Sequence, residues 1–216
     1  MKAFLKIALA LVFSSLFFSC ASSKFDSHFS PVYVTNTSKF AILPPNVSSE
    51  KIDTLQHMKA KFGEKEMEAE VYVISNTEQI SMTILSEFGS TVANLFYDGV
   101  TLDLDSAIFP KSLKAEYLVA DLQFCLYNPE ILKSELSKIG VDFEISAESD
   151  ENGKATEKRI LSKKGKPISK ITKKYTRTAI SSPAISEAEG TAEKSLSSIE
   201  YENTLRGYGY TLTTIE

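Results

Sequence analysis

The chain has no tryptophan, two cysteines and two histidines among 216 residues. Two cysteines cannot build a disulfide scaffold or a multi-cysteine metal site. Two histidines, His28 and His57, leave little material for metal or acid–base chemistry. The sequence has no Gly-x-Ser-x-Gly, no Cys–His pairing, no His-x-x-x-His and no phosphate-binding glycine loop. A nucleophile, base and orienting group therefore do not come together as a motif. The reading is a protein without catalysis, metal or cofactor. Asp103 and Asp105 share a strand face, which is read as solvated rather than as an acid–base pair. Nine glycines and seven prolines are too few for a collagen-like or low-complexity chain. Positive charge is not in excess, with a net charge of −4, which argues against nucleic acid as a partner.

A long hydrophobic run is also missing. Ile7 to Phe18 is apolar apart from Ser14 and Ser15, too short to span a bilayer comfortably but sized for a signal peptide after the basic start at Lys2 and Lys6. Leu16-Phe17-Phe18-Ser19-Cys20 resembles a bacterial lipobox, although Leu16 stands one place further from the cysteine than usual. That resemblance implies cleavage after residue 19 and diacylglycerol on the Cys20 thiol. The alternative is a plain secretory signal cut near Ser19–Ala21. Acyl chains anchor a soluble domain durably, since each buried CH₂ contributes about 0.8 kcal/mol. Ala21 rather than Asp after the cysteine implies, by the enterobacterial sorting rule, the outer membrane, with the domain facing the periplasm. Cleavage removes two lysines and no acids, leaving a mature charge of −6. Cys125 is then alone in the apolar run Leu122–Leu126 and is read as a buried thiol.

Residues 20–47 are rich in Ser, Thr, Asn and Pro and read as a lipidated tether, with a short strand at Val32–Val34. Ile52, Leu55, Met58 and Phe62 recur at near-helical spacing before Gly63, which predicts an amphipathic helix carrying His57. Period-2 alternation then marks strands around Ala69–Val73, Ile80–Ile84, Val92–Tyr97 and Val100–Asp105. Ala115–Tyr127 is nearly all apolar and predicts a buried helix. Asn128-Pro129 is a cap followed by proline at the first position of a second helix, which Gly140 ends. Strands resume at Val141–Ile145, Lys158–Leu161, Pro167–Tyr175, Ile199–Asn203 and Tyr208–Ile215, with Ser181–Ser198 read as a mobile loop. The fold expected is α+β: about nine antiparallel strands curled into an incomplete barrel, one helix before the sheet, and an inserted helical pair. Residues 48–216 form one domain, expected as a monomer.

The apolar face of this sheet supplies the inward candidates Val71, Val73, Ile80, Met82, Ile84, Leu102, Leu104, Phe143, Ile145, Tyr208, Tyr210 and Leu212. Each of them is also what any sheet core buries. The stretch Lys154 to Arg177 holds ten Lys or Arg and one acid, Glu157. Lys158, Arg159, Lys163, Lys164, Lys166, Lys170, Lys173 and Lys174 are therefore candidates for contact with anionic headgroups, worth about 1 kcal/mol each near a membrane. The competing reading is a solvated edge that blocks strand-to-strand aggregation.

The segment Tyr117-Leu118-Val119-Ala120-Asp121-Leu122-Gln123-Phe124-Cys125-Leu126-Tyr127-Asn128-Pro129, followed by Leu132, Leu136 and Gly140, resembles the central signature of an uncharacterised bacterial lipoprotein family, domain of unknown function 3261. Arg159-Ile160-Leu161 before a Lys-Gly turn, and Tyr201-Glu202-Asn203 leading to Gly207–Leu212, fit its later blocks. That family looks like the LolA/LolB group, whose incomplete barrel is plugged by helices and accepts acyl chains. The resemblance implies a hydrophobic cavity and a lipid, lipoprotein acyl chain or polyene as ligand, with Ile108-Phe109-Pro110 near the cavity mouth. The motif residue Asp121 is expected to cap or anchor the inserted helix through backbone amides. A second reading is a structural or partner-binding envelope lipoprotein with a fully packed core.

Overall fold

The computed structural model describes residues 27–150, 154–177 and 194–215. The signal peptide, Cys20 and most of the 181–198 loop lie outside the described residues. Ten strands form one antiparallel sheet. In chain order these are β3 (Ile52–Phe62), β4 (Lys65–Ser75), β5 (Ile80–Leu85), β6 (Thr91–Tyr97), β7 (Leu102–Ser106), β8 (Asp142–Ser149), β9 (Ala155–Lys163), β10 (Lys166–Arg177), β11 (Lys194–Asn203) and β12 (Tyr208–Thr214). Two short strands precede them, β1 (Val32–Tyr33) and β2 (Lys39–Phe40). Helices α1 (Ala115–Leu126) and α2 (Pro129–Lys138) are inserted between β7 and β8.

The spatial order is β7-β6-β5-β4-β3-β12-β11-β10-β9-β8. The last strand thus pairs with the first long one, Tyr208 facing Phe62 and Thr214 facing Gln56. The strands β7 and β8 are the two ends of that order and do not pair, so the barrel is incomplete. Register shifts at Ile84/Leu85, Pro167/Ser169 and Lys174/Tyr175 curl the sheet, because an extra residue on one strand increases local twist. Between β11 and β12 the strands approach so closely that a Cβ on Gly209 would stand 2.5 Å from the Tyr201 carbonyl oxygen. Only glycine fits there.

The expected architecture is present, with three corrections. The first concerns residues 52–62, which form strand β3 and not a helix. Ile52, Gln56, Met58 and Ala60 point into the core, while Asp53, Lys59 and Lys61 point out. The second concerns the tether. Residues 27–47 are folded against the domain, with Val32, Val34, Phe40, Ile42, Leu43 and Val47 all buried. This strap crosses the helical insertion and covers the face of α1 that the sheet leaves open. Ser38 accepts from Lys163 and donates to the Ile139 carbonyl, while Phe40 packs on Phe124 with ring centroids 5.0 Å apart. Residues 194–198, read as part of the mobile loop, begin β11.

Helix α1 is mostly apolar because it is covered on all sides from Val119 onward. Val119, Leu122, Phe124, Cys125 and Leu126 are buried between sheet and strap. Full burial of side chains of this size contributes about 1.5–3 kcal/mol each. Asn128 ends the helical run and starts the next one. Its side chain accepts hydrogen bonds from the Glu130 and Ile131 amides at 2.9 and 3.3 Å, with Pro129 at the first position of α2. Gly140 closes α2 at a φ of +68°, in the left-handed region where glycine is favoured.

The hairpins define two ends. The turns at 63–64, 86–90, 164–165 and 204–207 and the 107–114 loop share one end with the start of α1. The turns at 76–79, 98–101 and 150–154 share the other with the end of α1.

Candidate functional site

Asp121 and Gln123 are the two buried polar residues of α1. Two residues apart on a helix, they point about 200° from one another. Gln123 faces the strap. Its amide accepts from the Leu43 N–H at 2.9 Å and donates to the Leu43 carbonyl at 2.7 Å, as a paired strand would. Asp121 faces the sheet. Tyr201 donates to its Oδ1 and Tyr208 to its Oδ2, both at 2.6 Å. Asp121 is thus tied to β11 and β12 through tyrosine hydroxyls, and not to backbone amides as expected. Burial pushes its carboxyl up from 3.8 to about 6, against the opposing pull of the two tyrosine hydroxyls and the Arg206 charge. The same burial, with the neighbouring Asp121 charge, pushes the Tyr201 and Tyr208 hydroxyls above the ordinary tyrosine value. Asn203 donates to both tyrosine hydroxyls at 3.4 and 3.3 Å.

Beside this cluster lies an apolar cleft of about 30 Å³, lined by Met58, Met67, Met82, Phe109, Leu122 and Leu212 among others, with Asp121 on its wall. Phe109, placed near the mouth from the sequence, does line it. So do Met82, Tyr210 and Leu212 of the inward candidates. Val71, Val73, Ile80, Ile84 and Phe143 are buried as core, and Leu102 and Leu104 are half-buried on β7. Ile145 departs from expectation. It is exposed, because β8 runs past the helices and loses cover on both faces after Phe143. Tyr208 and Tyr210 turn inward, with Tyr210 stacked on Tyr201 at 5.1 Å. The Tyr210 hydroxyl is 3.7 Å from the Cys125 sulfur, and burial pushes that thiol up to about 12, so the thiolate is disfavoured.

The cleft opens at the end that holds the start of α1, hereafter the mouth end. Phe62, Phe88, Ile108 and Leu205 are exposed there, Phe88 at 93% on the β5–β6 turn. Its signal in the sequence is a phenylalanine between two strands, where turns carry polar residues. A larger groove of about 570 Å³ lies beside Gly209, lined by the charged side chains of Lys59, Lys61, Glu66, Glu68, Glu200 and Glu202. It is charge-mixed and open.

The basic stretch divides by strand face. Lys158, Lys164, Lys166, Lys170 and Lys174 are exposed. Lys163 is half-buried and holds Thr37 and Ser38 of the strap. Arg159 and Lys173 are not available to any headgroup, being 1% and 0% exposed. Arg159 donates to the Phe124 and Tyr127 carbonyls at 3.0 and 2.9 Å, satisfying the C-terminal end of α1, and pairs with Glu157 at 2.7 Å. Lys173 bridges Glu50 at 2.7 Å and Glu157 at 2.8 Å, and Tyr175 donates to Glu50. On the outer face, Lys170 lies opposite Glu202, while Lys158 lies opposite Ser146 and Thr172, and Lys174 opposite Thr156 and Ser198. The buried positive charge is thus paired with acids, and the exposed lysines other than Lys170 face no acid across the sheet.

Asp103 and Asp105 are exposed on β7, and among the described residues no group of three or more His, Cys, Asp or Glu is placed to hold a metal. No described helix is long and apolar enough to cross a membrane.

Residues 53–216 match the family described as protein of unknown function (DUF3261), and the chain belongs to that family. No curated protein matches it. The strap before residue 52 lies outside the matched span although it covers α1, which lies within it.

Proposed function

We propose that this DUF3261 protein is an outer-membrane lipoprotein that holds or carries a lipid, acyl or polyene ligand in the periplasm and performs no catalysis. One observation carries the reading: an apolar cleft between α1 and the concave face of an open barrel, walled by three methionines and Phe109. Methionine is unbranched and flexible, so such a wall repacks around a chain at low cost. The open sheet around an inserted helix supports the likeness to the LolA/LolB group. Exposed apolar side chains at the mouth end suit a surface that meets membrane lipid.

The cleft of about 30 Å³ is too small for an acyl chain, so a loaded form would be more open than this one. That same tightness favours the second reading, a partner-binding lipoprotein with a packed core. An anchor on Cys20 would leave seven residues before the folded strap, about 25 Å at full extension, which holds the domain close to its membrane.

Mass spectrometry of lipids that co-purify with the full chain tests the function. A stoichiometric acyl or polyene species is expected. Protein free of lipid that also binds no apolar probe supports the packed-core reading instead. Cys20→Ala is expected to release the protein from membranes; continued tight association contradicts the anchor.

A further inference from the structure

Asp121 is a wall shared by two hollows. On one side is the methionine-lined cleft, in which it is the one charged lining residue among the described residues. On the other is a smaller hollow of about 10 Å³, lined by Arg206, Asn203, Ser169, Tyr33 and Tyr117 among others. Joined by a modest shift of the Asp121 side chain, the two would form one site with an apolar limb and a polar end.

The polar end sets terms for what enters. Each Asp121 oxygen accepts one tyrosine hydroxyl and keeps capacity for a further donor. Arg206 is already engaged, donating to the Tyr33 carbonyl and lying 4.6 Å over the Tyr117 ring. An anionic head would stand against a buried carboxylate, where like charges repel strongly in a medium of low dielectric constant. A cationic head would face Arg206. A neutral hydroxyl meets neither difficulty: it donates to a lone pair that Asp121 keeps free, and it sets no charge against Asp121 or Arg206. Burying such a head unmatched would cost it its hydrogen bonds, so the pairing discriminates.

We propose that the Asp121–Tyr201–Tyr208 cluster is the polar end of an amphiphile site that takes a neutral, hydroxyl-bearing head, of the long-chain alcohol or monoacylglycerol class, with the chain lying in the methionine-lined cleft. The inference rests on the ligand-binding reading above and adds to it the chemistry of the head group.

Displacement of the neutral apolar probe diphenylhexatriene from the full chain tests it. Monoolein is expected to displace the probe at a concentration about tenfold below that needed for oleate at mildly alkaline pH, where oleate is charged. Asp121→Asn, checked for folding by circular dichroism, should bring the two within about twofold, because the like-charge penalty is gone. Tyr208→Phe keeps the carboxylate and should keep the preference. Equal displacement by both lipids in the wild type overturns the head-group assignment and needs no variant to do so. An unchanged preference in Asp121→Asn does the same. If the wild type binds no diphenylhexatriene at all, the ligand-binding reading itself falls, and this site falls with it.

Discussion

The two ends of α1 are held in opposite ways. On the mouth side, midway along the helix, a single carboxylate is gripped by two neutral tyrosine hydroxyls, beside hollows on either side. At the other end Arg159, Lys173, Glu157 and Glu50 pair among themselves, and Arg159 also satisfies the last helical carbonyls. The second arrangement is charge-dense, compensated and closed. The first leaves one charge only partly compensated, next to space. A helix fixed at one end and more lightly held at the other is suited to open at the lighter end.

The largest test of that contrast is Arg159→Ala. It strips the end of α1 of two donors and leaves Glu157 short of a partner, which should cost about 3–5 kcal/mol in urea unfolding. A loss comparable to an exposed lysine substitution would show that the closed end is not what fixes the helix. Next is Gly209→Ala, whose new Cβ would press on the Tyr201 backbone; it should cost about 1–3 kcal/mol and disturb the Tyr208 and Tyr210 rings on either side.

The pH dependence should differ in sign between the ends. Asp121 is raised from 3.8 to about 6, so its contribution to stability is full below pH 3.8 and is lost as pH rises through about 6. A rise of that size corresponds to about 3 kcal/mol. Burial alone would raise Glu157, yet hydrogen bonds and charges from Lys173 and Arg159 hold it below 4.5. Its contribution is present above 4.5 and is lost as pH falls through its lowered value. Urea titrations across pH should therefore show Asp121→Asn flattening the change between about pH 4 and 6, and Glu157→Gln flattening the loss below about pH 4.5. If both variants flatten the same limb, the two ends are not distinct.

Most of the sheet was legible from period-2 alternation, because each strand has one covered and one wet face. The strand β3 was not. Gln56 turns inward and Leu55 is only half-buried, which breaks the alternation and leaves an accidental helical spacing through Ile52, Leu55, Met58 and Phe62. The strap was hidden by composition: its buried Val32, Val34, Phe40 and Ile42 are scattered among Ser, Thr and Asn, and its strands are two residues long. A count of charge cannot tell inward from outward lysines. Alternation could have done so, since Arg159 stands two before the buried Leu161 and Lys173 two after the buried Ile171. Asp121 was visible as a motif residue. Its partners were not, because Tyr201 and Tyr208 lie 80 and 87 positions away and only the β3–β12 pairing brings that end of the chain back.

Amide hydrogen exchange of the full chain, with and without monoolein, tests most directly whether the mouth end is where the barrel opens. Opening there predicts ligand-induced protection in residues 58–67, 107–122 and 208–212, with residues 155–159 and 171–175 unchanged. Protection spread evenly over both ends of α1, or none in the presence of bound lipid, would contradict it.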